Sequence, residues 1–322
     1  MPRQFAKPII VASKCLEFEA CRYNGVMLPE PLIKKLIPFV EFKPVCPEFE
    51  IGLGIPRDPI RIVAKGEKLH LIQPATGRDL TQPMRKFSRA FLGSLNEVDG
   101  FILKSRSPSC GIKDAKIFPS SEKSMALGKE SGFFAEVVLA TFPNAAIEDE
   151  GRLLNYRIRE HFLTRVFAFA AWKEVLKRGR IGELVDFQAT NKLLLMAYNQ
   201  KEMRILGRIV ANIERRNIAE VFADYGIHFK NALATLPRFS SQINVLMHAL
   251  GYFKIIRSTE KQHFLKILEN YRDGKAPLSV PLGIVQSWIA RFDENYLAKQ
   301  TYFKLYPEEL IEITDSGKGR GN

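Results

Sequence analysis

The sequence predicts two regions of different fold class, an α/β domain followed by an all-α domain. In the first half, short apolar segments alternate with helical patterns, which is typical of an α/β fold with a mainly parallel sheet. From about residue 184 onward the pattern is helical, with few strand signals. At 322 residues the chain is long enough to bury two cores of ordinary size.

The strand candidates of the first half are short apolar runs at 7–13, 41–45, 60–64, 69–73 and 99–105. Helical patterns cover 29–40 and 79–95. The second of these carries Phe87, Phe91 and Leu95 at i, i+4 and i+8, which places them on one helix face. These elements define a predicted first domain at residues 1–155.

The second half reads as consecutive helices. One long helix is predicted over 151–179, and further helices over 187–216, 217–234, 238–257, 258–273 and 283–304. The segments "LPRFS" and "DGKAPLSVPLG" interrupt the pattern with proline and glycine. We therefore predict a connecting helix at 156–183, a helical domain at 184–310 and a polar, Gly-rich, disordered tail at 311–322.

The net charge is +13 at pH 7 and is shared almost equally by the two halves. Such a field attracts polyanions, nucleic acid before anionic membranes, although a uniformly basic solvated surface also accounts for it. No apolar window reaches the roughly 18 to 20 residues of a membrane span, and the first residues lack the features of a secretory signal. A cytoplasmic location without membrane contact is therefore expected.

Four cysteines occur, and no two of them form a CxxC pair. Cys15, Cys46 and Cys110 each follow a predicted strand. Since the carboxyl ends of parallel strands share one edge of a sheet, we expect these three thiols to approach one another. Cys21 lies a short loop beyond Cys15, and the sequence leaves its position open.

Three thiolates without a fourth protein ligand suit two metal centres. One is a cubane iron-sulfur cluster with an open iron, and the other is a catalytic zinc with water in the fourth position. Thiolate softness supports either metal. The alternative is that the cysteines are small buried hydrophobic residues without a ligand.

Four motifs of the first half resemble the thiouracil desulfurase (TudS) family in order and spacing. They are "ASKCLEFEACRYNG" (12–25), "VCPEFEIGLGIPRDPI" (45–60), "ILKSRSPSCGIKD" (102–114) and "IEDEGRL" (147–153). The second half is similar to the YbgA-like helical domain that is fused to such a domain in tRNA 4-thiouridine desulfidases. Its matching segments are "NVLMHALGYFK" (244–254), "ILENYRDGKAPLSVPL" (267–282) and "YLAKQTYFKLYPEEL" (296–310).

The resemblance implies a 4Fe-4S cluster held by Cys15, Cys46 and Cys110, whose free iron takes sulfur from a thiolated uracil ring. It implies a non-redox desulfidase that converts 4-thiouridine in tRNA to uridine and releases sulfide. Cys21 is left out of the ligand set. The chain departs from the family after Cys15, where "LEF" replaces Leu-Leu-Gly, so the loop beside the cluster differs.

Hydrolytic loss of sulfur requires a base that activates water and a group that moves a proton. Glu48, two residues past Cys46, is the predicted base, although it also suits a helix cap or an ion pair with Arg57. Ser105 is the predicted proton shuttle, with Ser107 and Ser109 behind it. Serines in such a turn also commonly bond only backbone.

Further residues are candidates for contact with the substrate. Tyr23 and Asn24 are predicted to border the base pocket, where ring stacking stabilises a bound base. Lys104 and Arg106 are predicted to meet a phosphate or ring oxygen, solvated surface being the alternative.

Two acidic residues outside these candidate sets, Glu148 and Glu150, match family positions but also read as charges in the first turn of the long helix.

Two basic groups of the helical region are candidates for binding tRNA. They repeat the spacing i, i+3, i+7 and consist of Lys201, Arg204 and Arg208, and of Lys254, Arg257 and Lys261. A solvated face explains either group alone. His248 and Tyr252, at i and i+4 in an apolar helix, are predicted to be core residues.

Two other functions stay open at this point. One is a desulfidase that acts on free thiouracil, since the first domain alone resembles enzymes that act on the free base. The other is a non-enzymatic RNA-binding protein that a metal stabilises.

Overall fold

The computed structural model describes residues 4–122, 124–212 and 215–315. These residues form two compact units. The first unit comprises Lys7–Ala170 with residues 314 and 315, and the second comprises residues 4–6 with Ala171–Ile313. From residue 316 onward the predicted tail lies outside the described residues.

The described part of the first unit contains nine strands and four α-helices, and a fifth α-helix continues into the second unit. The strands are β1 (Ile9–Ser13), β2 (Glu41–Val45), β3 (Arg61–Lys65), β4 (Lys68–Gln73), β5 (Arg78–Asp79), β6 (Gly100–Leu103), β7 (Ala115–Phe118), β8 (Gly128–Glu130) and β9 (Ala146–Asp149). The helices are α1 (Pro31–Leu36), α2 (Pro47–Glu50), α3 (Thr81–Gly93), α4 (Phe133–Thr141) and α5 (Tyr156–Arg178). Residue 170, where the units divide, lies inside α5.

Four of the strands form a parallel sheet in the order β2-β1-β6-β9. The two central strands, β1 and β6, are nearly continuous apolar runs and are almost completely buried. Such runs are typical of parallel strands that are covered on both faces. The prediction of an α/β fold with a parallel sheet is confirmed, and the sheet brings the carboxyl ends of all four strands to one edge.

The other five strands form a second, mixed sheet in the order β5-β4-β3-β7-β8. Strands β3 and β4 are antiparallel neighbours joined by a two-residue turn in which Gly66 has a φ of +62°. So short a connection cannot make the crossover that parallel strands need. The predicted strands at 60–64 and 69–73 therefore exist, but they lie outside the sheet that carries the cysteines.

The core of this unit lies between the parallel sheet and helices α3 and α4. Val11, Phe101 and Leu103 from the sheet pack with Phe134 and Val138 from α4 in one buried cluster. Helix α5 covers β6 so closely that a Cβ on Gly100 would stand 2.8 Å from Val166 Cγ1. These contacts fix β6, and with it the loop that carries Cys110.

The second unit is helical, which confirms the predicted all-α region. After α5 it contains α6 (Ile181–Thr190), α7 (Lys192–Tyr198), α8 (Gln200–Ala211), α9 (Ile218–Ala232), α10 (Phe239–Leu250), α11 (Ser258–Arg272), α12 (Ser279–Phe292) and α13 (Asn295–Lys299). Trp172 of α5 packs among Phe187, Phe222, Tyr225 and Phe229 with ring centroids 4.9 to 6.1 Å apart. This aromatic cluster joins α5, α6 and α9.

The prediction of one continuous helix over 187–216 is wrong. Three helices, α6, α7 and α8, occupy its described part, and they are separated at Asn191 and Asn199. Asn199 Oδ1 accepts a hydrogen bond from Glu202 N at 3.1 Å, which caps the start of a new helix. Residues 213 and 214 of the predicted helix lie outside the described residues.

Within the described ranges, no helix combines the length and the apolar character that crossing a membrane would require.

Candidate functional site

The parallel sheet places three cysteines at its carboxyl edge. Cys15 stands two residues beyond β1, and Cys46 follows directly after β2. Cys110 lies in the loop that leaves β6. Cys46 and Cys110 are buried, and Cys15 is partly exposed. Strand polarity alone thus brings together residues that are up to 95 positions apart in the sequence.

The loop that carries Cys110 is held by its own serine and by the start of α4. Ser107 Oγ accepts hydrogen bonds from the backbone N–H groups of Ser109 and Cys110 at 3.2 and 3.1 Å. Phe134 N donates to Ser109 O at 2.9 Å. A Cβ on Gly132 would meet the backbone of Ser109 at 2.5 Å, so only glycine allows this approach. Ser107 therefore shapes the turn.

The structure places Cys21 beside the other cysteines, a position that the sequence left open. Residues 16–28 fold back on themselves, because Leu16 and Leu28 form a β-bridge and Leu28 N donates to Cys15 O. Cys21 is fully buried, and its thiol is hydrogen-bonded with those of Cys15 and Cys46. The Cys46 thiol also donates to Cys21 O at 3.7 Å.

Burial and mutual contact favour the protonated thiol form of Cys21, Cys46 and Cys110. Burial raises the pKa of Cys110 to about 12. The hydrogen bond with Cys15 is the main cause that raises the pKa of Cys21 to about 11, and the contact with Cys21 raises that of Cys46. Thiolate ligands therefore have to be stabilised by a bound cation, so that binding would release protons.

Soft sulfur donors on three elements match the ligand set of an iron-sulfur cluster. Among the residues that the structure describes, no group of three or more His, Cys, Asp or Glu side chains has the spacing of a site for a single metal ion. The thiols available for such a ligand set at this edge are those of Cys15, Cys46 and Cys110, with Cys21 beside them.

Glu48 lies in α2 beside this edge and is held from two sides. Its Oε2 accepts from Arg57 Nε and Nη2 at 2.9 and 2.8 Å, and its Oε1 accepts from Ser109 Oγ at 2.9 Å. The side chains of Arg57 and Glu48 are only 3% and 14% exposed. Of the sequence-based alternatives, the ion pair with Arg57 is the one observed.

Arg57 ties this carboxylate to the cysteine loops. Its Nη1 donates to Cys21 O at 3.0 Å and to Gly54 O at 3.1 Å, and its Nη2 lies 3.9 Å from Cys46 Sγ. The guanidinium therefore fixes Glu48 and the Cys21 backbone in one arrangement. It also brings a positive charge to the Cys46 sulfur.

Ser105 belongs to a second polar group at the same edge. It follows β6 by two residues, and Glu150 follows β9 directly. Ser105 Oγ donates to Glu150 Oε1 at 2.7 Å, while Lys104 Nζ donates to Ser105 Oγ at 3.0 Å and pairs with Glu150. Lys104 thus contacts protein carboxylate and hydroxyl groups.

Glu30 lies beside this group and was not found from the sequence. Burial, followed by the charge of Glu150, raises its pKa to about 7. Burial also raises the pKa of Asp149, at the end of β9, to about 6. No local motif marks Glu30, because the fold brings the start of α1 next to the end of β9.

The remaining substrate-binding candidates are exposed residues in the loops at the carboxyl edge of the parallel sheet. Tyr23 is 43% exposed and has the Arg22 guanidinium 5.7 Å from its ring centroid. Asn24 is exposed beside it, and Tyr23 O accepts from Arg57 N at 2.8 Å. Arg106 is exposed in a left-handed conformation with a φ of 59°. These side chains are accessible to a ligand.

The helix-start interpretation of Glu148 and Glu150 is wrong. Glu148 lies in β9 and pairs with Arg152 at 2.7 Å, and Glu150 lies in the turn that follows. Helix α5 begins only at Tyr156. A fourth parallel strand, which the sequence analysis did not identify, occupies this segment because Ala146–Asp149 pairs with β6.

The two basic groups of the helical unit differ. Lys201, Arg204 and Arg208 are exposed on α8 at the predicted spacing. In the other group only Lys261 lies within a helix, because α10 ends at Leu250 and α11 begins at Ser258. Its members, although exposed, therefore do not share a helix face.

The prediction that His248 and Tyr252 are core residues is wrong. His248 is exposed, and Tyr252 is 38% exposed in the turn after α10. Tyr252 stacks on Tyr296, with ring centroids 5.2 Å apart and planes inclined by 14°. The helix ends before Tyr252, so its side chain leaves the apolar face that the i, i+4 pattern suggested.

The two units have separate relatives among known proteins. The family model of 2-thiouracil desulfurase matches residues 10–150, and that of a protein of unknown function, DUF1722, matches residues 192–307. Protein YbgA of Escherichia coli is 32% identical over 164 residues, which are 50% of this chain and 87% of YbgA. YbbK of Bacillus subtilis is 34% identical over 110 residues, or 32% of this chain and 73% of YbbK.

A solved structure, the 4Fe-4S-dependent thiouracil desulfidase TudS, is 22% identical and aligns with a TM-score of 0.35. It covers 46% of this chain and 93% of its own. By fold and site, the chain is an α/β protein with cysteines at the carboxyl edge of a parallel sheet, joined to a helical unit. It belongs to the 2-thiouracil desulfurase family and carries a DUF1722 domain after the desulfurase domain.

Replacing Arg57 with methionine is predicted to destabilise the first unit by about 3 to 5 kcal/mol, because Glu48 would keep a buried charge without its partner. Chemical unfolding of Arg57→Met and the unchanged protein measures the loss. Arg85→Met is the matched control, since its pair with Glu136 is exposed and contributes no more than about 1 kcal/mol. Equal losses in both variants would contradict the importance of the Glu48 pair.

Glu30 predicts a pH dependence of stability. The folded protein holds its proton up to about pH 7, whereas the unfolded chain releases it near the ordinary value of 4.5. Stability should therefore fall as pH rises through this window, and Glu30→Gln should remove that part of the fall.

Unfolding measured between pH 5 and 8 for the unchanged protein and Glu30→Gln tests this contribution. Glu67→Gln, on the exposed β3–β4 turn, is the control and is expected to follow the unchanged protein. Parallel pH curves for the unchanged protein and Glu30→Gln would refute it.

Proposed function

We propose that this chain is a cytoplasmic desulfidase that converts 4-thiouridine in tRNA to uridine by hydrolysis and releases sulfide. The observation that carries the proposal is the meeting of Cys15, Cys46 and Cys110 at one sheet edge, beside an oriented carboxylate. The desulfurase family model covers all of these residues. The specificity for tRNA and the hydrolytic course are our proposals.

We propose that the three cysteines hold a 4Fe-4S cluster with one iron free of protein ligands. Bound there, the cluster supplies a Lewis acid with affinity for the thiocarbonyl sulfur. Burial of Cys46 and Cys110 keeps bulk water from their sulfurs. Arg57, close to Cys46 Sγ, offsets part of the thiolate charge.

Glu48 is the proposed base that accepts a proton from the attacking water. Arg57 and Ser109 fix the orientation of its carboxyl group, which a base needs before it accepts a proton. Oε2 takes both Arg57 donors, while Oε1 accepts from Ser109 and has a second lone pair for a proton from water.

Ser105 is the proposed proton shuttle, and the exposed Arg106 is proposed to meet the ring oxygen or a phosphate. The ammonium of Lys104 is taken up by Ser105 and Glu150 and holds these two residues instead.

The reaction needs no electron donor. Water adds its oxygen to the ring carbon as the carbon–sulfur bond breaks, and its two hydrogens leave with the sulfur as hydrogen sulfide. A non-redox course therefore balances with water as the only co-reactant.

The helical unit is proposed to provide affinity for tRNA. Lys201, Arg204 and Arg208 project from α8 as an exposed basic row, and phosphates of folded RNA are the partners such a row attracts. Tyr23 and Asn24 are proposed to border the base once it is unstacked, because chemistry on a nucleobase requires it to leave its stack.

The test is turnover by the anaerobically purified full-length protein with thiolated tRNA and with free thiouracil. Sulfide release and nucleoside analysis by mass spectrometry should show 4-thiouridine converted to uridine in tRNA. Conversion of thiouracil alone would assign the free base as substrate. Thiolated tRNA that is bound but unchanged would favour the metal-stabilised RNA-binding protein.

A charge-reversal variant tests the role of α8. Lys201→Glu, Arg204→Glu and Arg208→Glu together should raise KM for tRNA by about tenfold or more and lower its salt dependence, without affecting the free base. The control reverses Lys65, Lys116 and Lys129, which are exposed on the second sheet of the first unit. An equal effect of both triple variants would mean that the net charge of the protein, and not the basic row of α8, determines the affinity for tRNA.

A further inference from the structure

Lys104, Ser105 and Glu150 form a closed hydrogen-bonded group, here called the edge triad. Glu150 receives both donors of Ser105, the hydroxyl at Oε1 (2.7 Å) and the backbone N–H at Oε2 (2.8 Å). Lys104 Nζ completes the group by donating to Ser105 Oγ at 3.0 Å and pairing with Glu150 Oε1. Each member thus contacts the other two.

Sheet register accounts for this meeting. Leu103 of β6 lies opposite Asp149 of β9, so the residues that follow leave the sheet side by side. The carboxylate side chain of Glu150 is only 13% exposed and the Lys104 side chain 20%. Desolvation offsets much of the Coulomb attraction in a pair this sheltered, so its presence is weak evidence for a purely stabilising role.

A single residue, Ser13, connects the edge triad with Cys110, one of the proposed cluster ligands. Ser13 Oγ accepts from Lys104 N at 2.9 Å and is hydrogen-bonded to the Cys110 thiol. Ser13 is 2% exposed. Ser13 thus links the backbone of Lys104 to the Cys110 loop, so the edge triad and Cys110 lie at the same part of the sheet edge.

The hydrogen bonds give the triad a direction. Ser105 donates its proton to Glu150 and accepts from Lys104, which leaves a lone pair on Oγ for a proton that arrives from a ligand. The acidic groups Glu30 and Asp149 both interact with the charge of Glu150. Lys104 is the cation that faces Glu150 and Glu30.

We propose that Glu150 is the positioning residue through which Ser105 moves a proton in the desulfidase reaction. As Ser105 Oγ takes a proton from the reacting group, its own O–H bond breaks and the proton passes to Glu150 Oε1. The same proton returns through Ser105 when hydrogen sulfide forms. No electron moves, and Lys104 holds both oxygens in line. This inference rests on the proposed function and names a residue that the function itself does not require.

The test compares Ser105→Ala, Glu150→Gln and the double variant in the full-length, cluster-containing protein. General acid–base catalysis contributes about 10² to 10⁴ in rate, so each single variant should lower kcat by about 100-fold with KM nearly unchanged. Because both residues act in one path, the double variant should be no slower than Ser105→Ala. Glu148→Gln is the matched control, a carboxylate two residues away that pairs with Arg152 instead.

A second measurement does not depend on turnover. Acylation of Lys104 at pH 8, mapped by mass spectrometry, should increase several-fold in Glu150→Gln and not in Glu148→Gln, because the ammonium loses its carboxylate. Iron content and uracil affinity should match the unchanged protein. Glu150→Asp, which keeps the charge but shortens the reach to Ser105, should show an intermediate kcat and serves if Glu150→Gln does not fold.

Multiplying effects of Ser105→Ala and Glu150→Gln, a normal kcat in Glu150→Gln, or an equal loss in Glu148→Gln would each overturn the relay. In these cases an active unchanged protein leaves the proposed function intact. An unchanged protein that releases no sulfide from any thiolated uracil would overturn the proposed function and the relay together.

Discussion

The polarity of the parallel sheet is the constraint on which the site depends. Four strands run in the same direction, so the residues that follow β1, β2, β6 and β9 meet at one edge, although the chain between them is long. This edge receives Cys15, Cys46, Cys110 and the Lys104–Ser105–Glu150 triad. Helix α5 packs closely on β6 at Gly100 and so fixes this central strand. Both Cys110 and the Lys104–Ser105 pair follow β6.

Two polar groups flank the thiols and differ in their electrostatics. Glu48 is enclosed by donors, Arg57 and Ser109, which favours a fixed carboxylate. Around Glu150 the charges are mostly acidic, and Glu30 holds a proton up to about pH 7 because burial and Glu150 oppose its ionisation. Two neighbouring carboxyl groups, one surrounded by hydrogen-bond donors and the other by acidic groups, are suited to taking and giving protons in one reaction.

The sequence predicted the parts of the fold that depend on local apolar pattern. Strands β1, β2 and β6 and the helix over 81–93 lie where their residues indicated, and the three cysteines lie at the edge that strand polarity implied. The short strand β9 was missed because "AIED" resembles a helix start until it pairs with β6. Glu30 and Cys21 were not placed, because their neighbours come from distant elements and loop folding. The prediction for Tyr252 was wrong because α10 ends at Leu250, two residues before it, and no single residue type marks that end in the sequence.

The decisive measurement is the amount of iron and acid-labile sulfide per chain, with zinc alongside, in protein purified without oxygen. A cluster held by the three cysteines gives about four of each, which should be lost in Cys15→Ala, Cys46→Ala and Cys110→Ala and kept in Cys21→Ala. Zinc without labile sulfide after anaerobic reconstitution would contradict this prediction. So would unchanged iron in any of the three ligand variants.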